Sequence, residues 1–239
     1  MMLPWNAEDL TFDEARFSGS ARLFPLPDLV MFPHVMQPLH IFEPRYREML
    51  NEALDSDGLI AMSMLAPGWE LDDEDRPALL PHVCLGKVIT HHRLDDGRYN
   101  VMLLGMRRGR IIAESPSDRM FRRAEVELLD DVYPVENGAS RGAVQAALTK
   151  IFHQSLPIPK GGAAEGPVKE LLASEIPLGV LTDLVSFALP LDVELKRRLL
   201  ADSDVDRRAA ALLKSLDASL KASEQPATKL KFPPRFSLN

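Results

Sequence analysis

The hydrophobic period of this chain changes once, near Tyr133-Pro134-Val135-Glu136-Asn137-Gly138, and that change limits the folds open to it. Before it, apolar residues alternate with polar ones or gather in short β-branched runs. After it, they recur at helical spacing. A period of two places one face of a strand on a core, and a period near 3.6 does the same for a helix. The chain is therefore expected to join a strand-rich front to a helical back.

In the front, Leu59 to Leu65 and Val83 to Thr90 read as strands. Tyr99, Val101 and Leu103 alternate with Arg98, Asn100 and Met102, and Ala124, Val126 and Leu128 alternate with Arg123, Glu125 and Glu127. Ile111-Ile112 adds a further apolar pair. Asp95-Asp96-Gly97 suits a hairpin turn, because glycine accepts positive φ. Short strands punctuated by turns suggest a twisted antiparallel sheet closing on itself. One helix interrupts them: Pro44 fits a first helical position, Tyr46, Met49, Leu50, Ala53 and Leu54 follow at helical spacing, and Gly58 lies just beyond.

In the back, Val144, Leu148, Ile151 and Phe152 share one face, as do Val180, Leu181, Leu184, Val185 and Ala188. Asp192 is placed to cap a helix in which Glu194 and Arg198 form an i,i+4 pair. Asp204 is placed to cap the next, which buries Val205, Ala209, Leu212, Leu213, Leu216 and Leu220. The predicted organisation is an N-terminal extension over 1–20, a β-rich pseudo-barrel lobe over 21–133, a helical lobe over 134–222 and an extended tail over 223–239. The acidic stretch GWELDDEDR and the tail lack periodicity and are expected to be mobile, with Phe232 and Phe236 favouring docking of the tail.

Composition narrows the function. The 239 residues carry a formal net charge of -7, which on average repels phosphate backbones. Arg107, Arg108 and Arg110, or Arg119, Arg122 and Arg123, are the places where a local basic patch could arise; otherwise they are solvated strand ends. No stretch reaches the roughly 20 largely apolar residues of a membrane span. The opening MMLPWNAEDLTFDEARF lacks a basic start and an apolar run, so a cytoplasmic location is expected. The single cysteine, Cys84, excludes an intrachain disulfide.

His82, Cys84, His91 and His92 are close in sequence, but zinc usually takes four ligands in tetrahedral array, and adjacent His91 and His92 point to opposite strand faces. Cys84 lies in an apolar strand, where a thiol is usually inert, and no G-x-S-x-G elbow occurs. Gly86-Lys87 lacks the upstream glycine of a phosphate loop. No metal, no other cofactor and no catalytic residue is expected.

The stretch LFPLPDLVMFPHVMQPLHIFEPRYREML contains Pro38-Leu39-His40-Ile41-Phe42-Glu43-Pro44-Arg45-Tyr46. It resembles the opening signature of the N-terminal domain of Lon-type ATP-dependent proteases. The likeness continues through LGKVITHHRLDDGRYNVMLLGMRRGRII and RRAEVELL, and more weakly through LVSFALPLDVELKRRLL. One departure is His34, where the family commonly carries glycine. The resemblance implies a free-standing member without ATPase or peptidase modules. It implies an α+β fold, with a β-rich, PUA-like pseudo-barrel and one helix followed by a helical bundle. Leu39, Ile41 and Phe42 become candidates to plug the barrel.

The implied role is non-catalytic: gripping unfolded or hydrophobic polypeptide, with a protease or chaperone as a further partner. Met31, Phe32, Pro33 and His34 in one loop, and Trp69 and Leu71 in another, are the candidate peptide-binding residues, set beside the reading that Phe32 and Trp69 simply complete the core. No nucleic acid or membrane partner is expected. The alternatives are an RNA-binding module using the barrel and an oligomerising scaffold, a homo-oligomer built through the bundle or tail.

Overall fold

The computed structural model describes residues 11–71, 76–155, 176–222 and 237–238. They form a mixed α and β structure that separates between Asp130 and Asp131 into two compact units, with Ser237 and Leu238 belonging to the first.

The first unit contains β1 (Ser20–Leu26), β2 (Met36–Ile41), α1 (Pro44–Leu54), β3 (Leu59–Met64), β4 (His82–Arg93), β5 (Tyr99–Ser115), β6 (Arg122–Leu129) and the two-residue β7 (Ser237–Leu238). The strand order is β4-β3-β1-β6-β5-β2-β7, and β4 also pairs with β5. Strands β4, β3, β1, β6 and β5 thus form a closed ring, and β2 and β7 extend the sheet outward from β5. Only β1–β3 and β2–β7 are parallel. Ile111 and Ile112 are not a separate strand. They continue β5, whose register shifts between Ile111 and Ala113.

Closure of a small ring demands small residues between large ones. Ala61 lies opposite Leu23 on one side and Leu85 on the other. These three, with Ala21, Val83, Ala124 and Val126, make one buried cluster. Large side chains at every position would exceed the space that interior packing density allows. Gly109 obeys the same limit, since a Cβ there would approach Val126 Cγ1 to 2.6 Å.

Helix α1 begins with Pro44 as expected and buries Tyr46, Met49, Leu50 and Ala53. It ends where Gly58, at φ +71°, donates its N–H to Ala53 O at 2.8 Å. The Tyr46 ring packs on Phe24 with centroids 4.4 Å apart, and burial pushes its phenol up to about 12. Arg22, buried on β1, ties this corner together through Glu52 and Asp57, each at 2.7 Å. Leu39 and Ile41 are buried as expected, but Phe42 is 37% exposed. It follows the last residue of β2, outside the ladder, and plugs nothing.

The second unit contains α2 (Arg141–Ser155), α3 (Leu178–Ala188), α4 (Val193–Ala201) and α5 (Val205–Ala222). Asp192 Oδ1 accepts from Glu194 N–H at 2.9 Å, and Asp204 Oδ1 accepts from Asp206 and Arg207 N–H at 2.9 and 3.0 Å, so both predicted caps form. Glu194 pairs with Arg197 at 3.0 Å rather than with Arg198. The buried face of α3 is also not the predicted apolar stripe. Leu181 and Val185 are on it, while Val180, Leu184 and Ala188 are half-buried and Gly179, Thr182, Asp183 and Ser186 lie inside.

The cause is Arg208 of α5, whose side chain is fully buried. It grips Asp131 through two hydrogen bonds of 2.6 and 2.9 Å, donates to Thr182 Oγ1 at 3.2 Å and to Asp202 O at 3.1 Å, and lies 3.9 Å from Asp183. A buried guanidinium needs partners for its donors, so polar groups of α3 turn inward. Gly179 makes room: a Cβ there would overlap the Asp131 carboxylate. Its N–H donates to Tyr133 Oη at 3.1 Å.

Candidate functional site

The residues between β1 and β2 fold inward. Met31, Phe32 and Pro33 are buried, Phe32 completely. His34 N–H donates to Gly105 O at 2.8 Å, and Gly105 N–H donates to Val35 O at 2.9 Å. A Cβ at Gly105 would overlap the Phe32 carbonyl, so glycine is what lets this turn lie against β5. His34 is exposed and adopts φ +66°. The turn keeps its positive φ even though this chain places histidine there.

Trp69 is half-buried in a separate short turn, Trp69–Leu71, and its N–H reaches Ala66 O at 3.3 Å. The side chain of Leu71 and the acidic residues 72–75 lie outside the described residues. Of the six candidate residues, four come together in one turn and two stand in the other. His34 and, in part, Trp69 have accessible side chains.

Two further apolar residues are accessible, Met36, which the sequence does not single out, and Phe42, which it places in the core. Met36, 45% exposed, begins β2, and Phe42 follows its end. Strand alternation puts Met36, Pro38 and His40 on one face. The His40 ring lies 6.1 Å from that of Phe42 and is fixed by Asn100 Oδ1, 2.8 Å from Nδ1, and by Arg98, 3.3 Å from Nε2. Asp96 holds Arg98 in turn at 2.6 Å, and these hydrogen bonds keep the Asp96 carboxyl below its ordinary range. One side of β2 pairs with β5 over Met36 to Ile41. The other receives β7, with Ser237 opposite Leu39 and Leu238 opposite His40. Of the residues that the sequence assigned to a tail, 223–236 and 239 lie outside the described residues.

Both arginine groups are matched by acids. Arg107 pairs with Glu14 at 3.0 Å and Asp130 at 2.5 Å, and Arg110 with Glu127 at 2.6 Å. Arg108 is buried. Arg119 reaches Glu48 and Glu52, both at 3.4 Å, Arg122 pairs with Glu114, and Arg123 with Glu52. Cys84 is buried, His82 half-buried, and His91 and His92 are exposed. Burial, with Arg110 nearby, lowers the His82 pKa from its ordinary value. Among the described residues no three histidine, cysteine or acidic side chains converge as a metal site, and no helix is long and apolar enough to cross a membrane.

Comparison with known proteins points one way. Residues 20–218 match the family model of the ATP-dependent protease La (LON) substrate-binding domain. Lon protease 2 of Desulfotalea psychrophila is 28% identical over 203 residues, which cover 84% of this chain and 25% of that protein. Lon protease of Escherichia coli K12 is 24% identical over 210 residues, covering 83% and 24%. The chain therefore spans about a quarter of the length of the curated relatives it matches. The N-terminal domain of Mycobacterium avium complex Lon protease matches in structure with a TM-score of 0.60 at 18% identity, covering 82% of this chain and 96% of that one. A Lon N-terminal domain protein from Xanthomonas campestris gives a TM-score of 0.56 at 21% identity, covering 83% and 97%.

Proposed function

This chain belongs to the LON substrate-binding domain family, and we propose from that premise that it is a non-catalytic module that grips unfolded or hydrophobic polypeptide in the cytoplasm. The match over residues 20–218 carries the reading, because it falls on the substrate-binding part of the protease. A protease or chaperone would then act on what the module holds.

The first unit offers groups suited to this work. Trp69, Met36 and Phe42 are accessible apolar contacts, and Leu71 lies two residues beyond Trp69 in sequence. Removing such surface from water contributes about 25 cal/mol per Å². Met31, Phe32 and Pro33 serve from beneath, holding His34 at the surface. The arginines favour protein over nucleic acid: those engaged with carboxylates have less to gain from a phosphate chain, whose affinity comes from freeing counterions.

The test is fluorescence anisotropy with a labelled, reduced and carboxymethylated protein as the unfolded probe and the same protein in its native state as control. Binding of the unfolded probe alone, weakened at least about fivefold by Trp69→Ala with Phe42→Ala, supports the reading. An unfolded probe that the intact chain ignores removes it. A double variant that binds as well as the intact chain removes the nominated residues.

A further inference from the structure

We propose that the outer edge of β2 is a strand-receiving site for an extended apolar segment of substrate polypeptide, and that Ser237–Leu238 is a tethered competitor for it. The inference rests on the polypeptide-binding reading above and names the surface that reading requires.

The sheet singles out this edge. Strands β1, β3, β4, β5 and β6 are each paired on both sides within the ring. Strand β2 has β5 on one side, and on the other, among the described residues, only the two residues of β7. Without β7 it is an edge strand, whose unpaired N–H and C=O groups form a template for another chain. The edge thus accepts a strand, and the strand seated on it shows what kind: extended, parallel to β2, with a leucine beside His40.

The occupant is built to leave. Six residues make up β2, and β7 matches two of them. A two-residue ladder has few hydrogen bonds to lose, and its hold depends on being tethered. A longer segment would add pairing beside Met36 and Ile41, on either side of Pro38, which has no N–H to give, and apolar contact with Met36 and Phe42, which are exposed. Backbone pairing reads little sequence, which suits a module that meets many unfolded chains.

The experiment uses the full chain and a variant carrying Ser237→Pro and Leu238→Pro, since proline has no N–H to give a ladder. The probe is a fluorescein-labelled peptide of sequence KFPPRFSLN, alone and with methylated backbone nitrogens at its serine and leucine. The unmodified peptide should bind the double-proline variant at least about tenfold more tightly than the intact chain. Methylation should abolish that binding, and the unfolded protein probe should compete for it. Equal affinity for both chains, or indifference to methylation, overturns the proposal. Unfolded protein that binds but is not displaced by the peptide overturns the edge assignment and leaves polypeptide binding standing. Unfolded protein that binds neither chain overturns both.

Discussion

Both units bury arginine, Arg22 and Arg108 in the strand-rich one and Arg208 in the helical one, but they place the rest of their charge differently. In the strand-rich unit, Arg107, Arg110, Arg122 and Arg123 stand outside the ring cluster and reach acids on neighbouring elements. Its ring interior is alanine, leucine and valine. The helical unit takes Arg208 inside and arranges Asp131, Thr182, Asp183 and Asp202 around it. A sheet can send every second side chain outward, so alternation sorts charge from core. A small bundle has no such automatic sorting. Here one interior cation fixes which face of α3 turns inward. Rim ion pairs are worth little, whereas breaking an enclosed pair leaves an unmatched charge.

Arg208→Ala should have the largest effect, a loss of about 3–5 kcal/mol confined to the helical unit. Both tryptophans of the chain, Trp5 and Trp69, precede Asp131. Urea unfolding followed by far-ultraviolet dichroism should therefore shift while the tryptophan fluorescence transition stays in place. Equal shifts in both signals would break the comparison.

Gly105→Ala should act on the other unit. A methyl group meets the Phe32 carbonyl, and relieving that overlap costs roughly 1–3 kcal/mol. The fluorescence transition should move first; an unchanged one would mean that the turn is not held against β5 as described.

His34→Gly should be mildly stabilising, by less than about 1 kcal/mol. The left-handed backbone at residue 34 penalises a Cβ, and glycine's greater freedom when unfolded offsets part of the relief. Differential scanning calorimetry resolves the sign, and a lower Tm would contradict strain at this position.

The smallest effect is pH-dependent. Folding lowers the His82 pKa below 6.5, so the unfolded chain binds more protons just below that value. Its contribution is complete above pH 6.5 and lost as pH falls through the folded value. At Asp202, burial raises the pKa, but hydrogen bonds from Arg207 and from Asp204 N–H, with the charges of Arg207 and Arg208, bring it below 3.8. That contribution is present above 3.8 and lost only as pH falls through the lower folded value. Between pH 7 and 5.5 the fluorescence transition should weaken slightly, and His82→Gln should remove that slope. A slope that survives the substitution assigns it elsewhere.

The same contrast explains what could be read in advance. Strand positions such as Val101, Leu103, Ala124 and Val126 announce themselves by alternation, and α1 by Pro44 and its apolar spacing. The caps Asp192 and Asp204 are local and therefore legible. Arg208 was not, because its partners Asp131 and Thr182 are far away in sequence, and an arginine in a polar stretch looks solvated. Phe32 is open to both readings, surface contact or core, because nothing local reveals that Gly105 leaves space for its carbonyl. The edge of β2 was hidden for a similar reason: its occupant is a serine and a leucine at the far end of the sequence, without periodicity.

The ring also dictates an order of events during folding. Its closing seam joins β1 to β6, with Ser20 opposite Glu125, so no nascent chain can complete it before β6 has been made. Until then β1, buried at every position after Ser20, lacks the partner of one flank. Pairings this distant in sequence form slowly, and sticky strands exposed meanwhile invite aggregation. The chain thus passes through a stage in which its own apolar strands need shielding.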